Sequence, residues 1–276
     1  MRTAIILAAV SSFAVAAPAA AQEEKPFDGF YVGGSVGYDF QNNDVGSTIQ
    51  FDRNGDGTFN DQVTTAAGAN AFSTGFCNGR ARAATRLPTG CEQDSTNVSY
   101  SARVGLDKQF GSIVVGLVGE FGRTEITDYV SGFSTTPANY VMAREIDWEG
   151  SVRARAGFAA NNTLFYATGG GGYANIKHSF TSTNTQNAFA GNGNAKEFGF
   201  VVGGGLEQKI SRNISFGVEY SYHDYKDDEY RVDVTQGTAA ATNPFVLAPN
   251  TAGTTFRRSD ENFRWHSARA TLNFRF

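Results

Sequence analysis

Few side chains in this 276-residue sequence stand at spacings that could do chemistry. The most pointed group is Phe51-Asp52-Arg53-Asn54-Gly55-Asp56-Gly57-Thr58-Phe59-Asn60-Asp61. Asp52, Asn54 and Asp56 alternate as the first oxygen ligands of an EF-hand-type calcium loop do, and Gly57 supplies the sharp turn. Thr58 can add its carbonyl, and Asn60 takes the ninth position. The glutamate that closes such a loop is absent, because Val63 stands there; Asp61 can replace it only with altered geometry. No flanking helices are evident. Two readings stay open: a lone structural calcium site of about 10⁻⁴ to 10⁻³ M, as in extracellular modules, or a plain Asn/Asp/Gly turn.

Cys77 and Cys91 are the only cysteines, so in an oxidising compartment they can pair intramolecularly only with each other. Two free thiols or a metal pair are the alternatives. Arg80, Arg82 and Arg86 between them make a small basic patch, suited to polysaccharide or lipid phosphate or simply solvated. His223 stands beside Asp224 and Asp227, with Ser221 close by and Ser267 in another segment, the minimum a hydrolase needs. No GxSxG nucleophile motif accompanies them, so no enzyme is expected. The glycine runs 169–172 and 203–205 carry no GxxxxGK[ST] and open no helix, so they are not phosphate loops.

The elements that must position these residues are strands. From Ile146 to Phe158 the even positions are apolar or glycine, and the odd ones are acidic, basic or small. The same period of two runs through Tyr100–Leu106, Phe198–Ile210 and Ala268–Phe276. Eight such segments are predicted, at about 28–40, 98–110, 113–127, 144–159, 163–179, 196–210, 214–228 and 261–276. Short turns alternate with long connections, the longest being 41–97. This layout predicts an all-β fold: an eight-stranded antiparallel transmembrane β-barrel with long extracellular loops.

A soluble lipocalin-like barrel would put the apolar set inside instead. The charges decide between them. Opposite the apolar face lie Arg103, Glu120, Glu149, Arg153, Arg155, Glu207, Glu219 and Arg269, balanced in sign. Facing lipid, each basic residue would cost about 2–4 kcal/mol at the midplane. Inside a narrow barrel the two signs can pair and close the lumen as a polar network. Tyr31, Tyr38, Phe40, Tyr100, Phe110, Phe121, Trp148, Phe158, Phe198, Phe216, Tyr220 and Tyr222 fall near strand ends, as interfacial girdles do. The four-glycine run leaves the register of 163–179 open.

Residues 1–21 read as a cleaved signal peptide: Arg2, an apolar stretch, then Ala19-Ala20-Ala21 before Gln22. The mature domain would be 22–276, and no later run is long and apolar enough for a membrane helix. A net charge of −4 argues against a nucleic-acid partner. The 32 glycines lack a collagen period, and 41% hydrophobic residues are too many for a disordered chain.

With its signal peptide, Phe30-Tyr31-Val32-Gly33-Gly34-Ser35-Val36-Gly37-Tyr38, Tyr166-Ala167-Thr168-Gly169-Gly170 and Leu272-Asn273-Phe274-Arg275-Phe276, the chain resembles the small outer-membrane β-barrels of Gram-negative bacteria, the opacity-type and immunogenic surface proteins. The resemblance covers about 27–276. It implies an outer-membrane location and a terminal Phe276 read by the barrel-assembly machinery through the last strand. The first loop is long for that family. Together these readings predict an integral scaffold and surface-contact protein, with outer-membrane lipid, lipopolysaccharide and a surface ligand as partners. A narrow passive porin-like channel is the alternative.

Overall fold

In the computed structural model, residues 25–41, 46–85, 90–94 and 96–276 are described. The expected signal peptide and Arg86 lie outside the described residues. In chain order the strands are β1 (Gly29–Phe40), β2 (Ile49–Asp52), β3 (Phe76–Asn78), β4 (Arg80–Ala81), β5 (Cys91–Glu92) and β6 (Asn97–Phe110). Then come β7 (Ile113–Thr124), β8 (Thr127–Ser134), β9 (Ala138–Ala160), β10 (Thr163–Ser182) and β11 (Ala188–Gly191). The last are β12 (Ala195–Lys209), β13 (Ile214–Lys226), β14 (Val232–Thr235), β15 (Thr254–Arg258) and β16 (Asn262–Arg275).

Eight of them, in the order β1-β6-β7-β9-β10-β12-β13-β16, pair antiparallel around a closed ring, since β16 also pairs with β1. Short turns join β6 to β7, β9 to β10 and β12 to β13 at one end, where Phe276 also lies. Closure leaves no backbone edge unpaired, which is what lets strands cross lipid. The alternating side chains then divide by face. Phe198 is 77% exposed and Val152 66%, whereas Arg153, one residue on, is 2% exposed. Inward glycines make room for lumen aromatics: a Cβ at Gly105 would sit 2.2 Å from the Tyr31 ring, and one at Gly172 only 1.9 Å from the Tyr225 hydroxyl.

Three sequence expectations change here. Tyr31 is not in a girdle but fully buried inside the barrel, because Phe30 takes the outward position beside it. Ile146, grouped with the outward even positions of its strand, also points inward and is buried. A bulge is the cause: β10 pairs Asn175 with Trp148 but Ile176 with Ile146, so Asp147 is an extra residue and the alternation reverses above it. The open register resolves as Phe165 outward and Tyr166 inward.

The third change concerns the loops. The segment 128–143, read as a connection, is mostly strand: β8 and the first part of β9 form a hairpin beyond the barrel, from Thr127 paired with Glu145 to Ser134 paired with Ala138. Its alternation is hidden because both faces are covered. The remaining long loops complete a cap. A separate four-stranded sheet, β11-β14-β15-β2, draws one strand from the first loop, one from 183–194 and two from 227–261. The cap has its own apolar core, including Phe51, Val63, Phe72, Tyr140, Val232, Phe245 and Phe256. Phe256 lies at its centre, 5.0 Å from Phe51, 5.3 Å from Phe245 and 5.9 Å from Tyr140 between ring centroids.

Candidate functional site

Inside the barrel all eight charges named from the sequence point inward and are brought together. Glu219 accepts from Arg103 Nη2 at 2.9 Å, from Arg153 Nη1 at 2.9 Å and from the Tyr166 hydroxyl at 2.8 Å. Glu120 links Arg153 at 3.0 Å to Arg269 at 2.5 Å. Nearer the short turns, Arg155 bonds Glu207 and Asp107, and Arg275 reaches the same two carboxylates at 3.0 and 2.7 Å. Asp39, Asp107 and Arg275 had not been singled out from the sequence. Their signal was parity: Asp107 is in step with Arg103, and Arg275 with Arg269.

Glu149 lies beside a histidine rather than an arginine. Its carboxylate is 2.8 Å from His223 Nδ1 and accepts from the Tyr225 hydroxyl at 2.6 Å. On its other side His223 Nε2 is 2.8 Å from Ser221 Oγ and 3.2 Å from Ser267 Oγ. Asp224 and Asp227, its sequence neighbours, point elsewhere; Asp227 meets His178 at 2.8 Å instead. Ser221, His223 and Glu149 thus have the connectivity of a nucleophile, base and orienting acid. The adjoining cavity, lined by Glu149, His223, Arg153 and Arg269, has about 10 Å³. That is room for roughly one water and no substrate.

Above this network the interior turns apolar. Ile126, Ile146, Ile176, Val201, Tyr225, Phe263 and Trp265 form a buried plate across the barrel mouth, with Trp265 stacked on His223 at 4.6 Å. The bulge at Asp147 is what turns Ile146 into it.

An ionic layer joins plate to cap. Arg144, fully buried, donates to Asp128 at 2.7 Å, Asp260 at 2.9 Å and Asp227 at 3.2 Å, and Arg258 donates to the same Asp128 oxygen at 2.7 Å. Sequence reasoning missed this layer, because its members come from four separate segments with no shared period. Burial opposes ionisation of Asp227, but the His178 contact and Arg144 hold its carboxyl below the usual range. Asp94 behaves oppositely: burial, then the facing Asp128 carboxylate, push it up to about 7, against Arg258 and Arg144.

The sign for Asp94 follows from linkage. Between its ordinary value of 3.8 and about 7 the folded protein holds a proton that the unfolded chain releases. Stability is therefore lost as pH rises through that window. Asp94→Asn should leave stability unchanged at pH 4 and raise it at pH 8, on the order of 1–2 kcal/mol after allowance for solvent screening. Denaturant titrations of both proteins at the two pH values check this; equal differences at both would refute it.

In the first loop Asp52, Asn54 and Asp56 come together, and their side-chain oxygens accept from backbone amides of the same turn. Asp52 accepts from Gly55 N and Gly57 N at 2.7 and 2.9 Å, Asn54 from Asp56 N at 2.9 Å, and Asp56 from Thr58 N at 2.7 Å. Asp61 accepts from Arg53 N and Asn54 N. These bonds are the means by which an Asx-rich turn closes on itself. Thr58 and Asn60 are exposed, and Val63 is buried in the cap core. Among the described residues no group of three or more His, Cys, Asp or Glu side chains is placed to hold a metal ion.

Cys77 and Cys91 are joined as a disulfide, tying β3 to β5. Because β3 also pairs with β8, the bridge anchors the first loop to the extended hairpin. Cys91→Ser should cost the cap about 3 kcal/mol, the value for a closed loop of roughly 15 residues. Faster proteolysis of the first loop in Cys91→Ser, matched by reducing agent on the parent protein, is the expected readout. Of the arginine patch, Arg80 is exposed and Arg82 lies 3.9 Å from Glu92.

The model of the outer membrane protein beta-barrel domain matches residues 5–243. The chain belongs to that family. It is 30% identical over 129 residues to the 22 kDa outer membrane protein of Rhizobium leguminosarum bv. viciae, covering 47% of this chain and 53% of that one. It is 27% identical over 165 residues to the 31 kDa outer-membrane immunogenic protein of Brucella melitensis biotype 1, covering 59% and 60%. The alignments thus span about half to three fifths of these curated relatives. The outer membrane protease OmpT from Escherichia coli aligns over 93% of this chain and 99% of its own at 8% identity, with a TM-score of 0.38, a likeness too low to bear on chemistry. The protein is an outer-membrane β-barrel, and the exposed apolar wall described above faces lipid.

Proposed function

We propose that this barrel is a closed-lumen scaffold that presents its folded cap to the cell exterior as a surface-contact module. The observation that carries the reading is the succession along the barrel axis of a paired Arg/Glu/Asp network, an apolar plate and a buried ionic layer. The buried, mutually paired charges and the apolar plate support a closed lumen, and the 10 Å³ beside His223 is too small for a substrate, so a non-enzymatic role fits best. The name of the Brucella relative, an immunogenic protein, accords with a cap displayed outward.

The partners follow from the surfaces. Outer-leaflet lipid and lipopolysaccharide would contact the apolar wall, which includes a depression of about 710 Å³ bordered by Phe121, Trp148, Tyr173 and Phe198. Phe276 is 61% exposed, its ring packed 5.8 Å from Phe30, and would be read by the assembly machinery. A net charge of −4 weighs against a nucleic-acid partner.

Planar-bilayer recording of the folded, signal-free protein tests the reading, with calcium added and then chelated. Silent insertion under both conditions is expected. Stable discrete steps would replace it with the narrow passive channel, whose solute path would be the Arg/Glu set.

A further inference from the structure

His178 lies where the barrel passes into the cap, and the scaffold role makes no use of it. It stands on β10 as the cross-strand neighbour of Arg144 on β9, and its side chain is fully buried. Two separate pieces of the cap close on it. From the 191–194 loop, Asn194 Oδ1 accepts from His178 N at 3.1 Å, and Gly193 O lies 3.1 Å from the ring Nδ1. From the segment after β13, Asp227 Oδ1 is 2.8 Å from Nε2, and Tyr230 stacks on the ring at 4.3 Å between centroids. The two pieces also hold each other: Asn192 Nδ2 donates to Glu229 O at 2.8 Å, and Arg231 N to Asn192 Oδ1 at 2.9 Å.

Both ring nitrogens therefore face acceptors. A carbonyl oxygen has no proton to give, so Nδ1 must carry one. The contact between Nε2 and Asp227 needs a second, because a lone pair set against a carboxylate makes no bond. Arg144 decides where that second proton sits. It donates to the other Asp227 oxygen at 3.2 Å, which favours the carboxylate and leaves the proton on the imidazole. The charges of the ionic layer agree. Asp128, Asp227 and Asp260 meet Arg144 and Arg258, so even with Asp94 protonated one positive charge is wanting. The other charged groups at this junction are at least partly exposed: Glu197 on β12, Lys226, Asp228 and Glu229 beside Asp227, and Arg264, which is 3.9 Å from Asp260.

We propose that His178 is a buried imidazolium and works as a pH-operated clasp between cap and barrel. Protonated, it holds the 191–194 loop and the 227–231 segment onto β10; deprotonated, it releases them. Once a proton leaves, a lone pair faces either Gly193 O or Asp227, and no rotamer supplies the missing donor. The freed pieces adjoin Gly191, where β11 ends, and Val232, where β14 begins, so the cap opens from that side. The direction follows from linkage. In the open clasp the histidine is an ordinary one, with a value of about 6.5. Above that pH closure takes up one proton, so the clasp is tightest in acid and the open fraction climbs at most tenfold per pH unit as pH rises. The inference goes beyond the surface-contact reading and stands whether or not the lumen conducts.

Nitrogen-15 NMR of the imidazoles tests it on the folded protein in detergent, with Asp94→Asn as the parent so that Asp94 releases no proton of its own. The His178 signals, identified by their loss in His178→Gln, should show both ring nitrogens protonated at a pH of about 6.5. Hydrogen-exchange protection of the His178 and Arg231 amides, each taken relative to its intrinsic rate, should then fall by up to roughly tenfold per pH unit. Asp227→Asn separates the clasp from packing alone. Its amide can donate to a neutral Nε2 while its oxygen still accepts from Arg144, so protection should persist without a pH slope. His178→Gln should leave the loop open at every pH. A ring protonated on one nitrogen only at about pH 6.5, a slope shared by Asp227→Asn, or protection unchanged in His178→Gln would each overturn the clasp. Should His178→Gln fail to fold, the slope in the parent against Asp227→Asn decides by itself.

Discussion

Glu219→Ala is expected to destabilise the barrel by about 3–5 kcal/mol, the loss seen when one partner of a buried ion pair is removed. Glu219 is 4% exposed and is shared by Arg103, Arg153 and Tyr166. Without it, two guanidinium groups that are themselves 5% and 2% exposed keep only Glu120 between them as a counter-charge, and Glu120 is also shared with Arg269. Glu219→Gln keeps an acceptor but not the charge and should fall between. The Lys108–Asp28 pair offers the contrast: its side chains are 61% and 29% exposed, so Lys108→Ala should cost about 0–1 kcal/mol. Urea unfolding in lipid vesicles, with an unchanged slope, measures all three. A Glu219→Ala loss no larger than the Lys108→Ala one would mean that the lumen charges are hydrated, and would reopen the channel reading.

Phe256→Ala carries the second large effect, about 3–5 kcal/mol, and it should fall on the cap alone. The ring is fully buried and touches Phe51, Phe72, Tyr140, Phe180 and Phe245, which come from four different segments. Truncation leaves a void that those elements cannot all close. The barrel strands keep their own ladders beneath the Trp265 plate, so the cap should open as a separate unit. Limited proteolysis should cut within 46–97 and 236–253 while the heat-sensitive gel mobility of the barrel is retained. A parallel loss of both signals would show instead that cap and barrel unfold together.

How much of this was legible in the sequence differs from one region to the next, for a physical reason in each. Wherever a strand has one wall of lipid and one of polar lumen, the two environments force opposite residue types onto alternate positions. Thus Val104, Leu106 and Phe121 against Arg103 and Glu120 could be read directly. The cap strands have no such contrast. Val130-Ser131-Gly132-Phe133 is buried on both faces, so its composition carries no period, and the hairpin passed for a loop. The calcium-like spacing of Asp52, Asn54 and Asp56 was equally legible, whereas the backbone amides that those oxygens accept from were not, because they depend on how the turn closes.

The sequence alone determined the number of barrel strands and, outside the glycine-rich 163–179 and the stretch beyond the bulge, the face each turns to lipid, because these depend on local alternation and on the sign of isolated charges. Only the tertiary structure decided which charges meet. Glu149 lies against His223 and not an arginine, and Arg144 gathers Asp128, Asp227 and Asp260, because shear and a single extra residue at Asp147 set the heights of residues far apart in the chain. The same is true of the cap: Phe51, Phe72, Phe245 and Phe256 form one core only because barrel closure brings the ends of four loops to one side of the membrane.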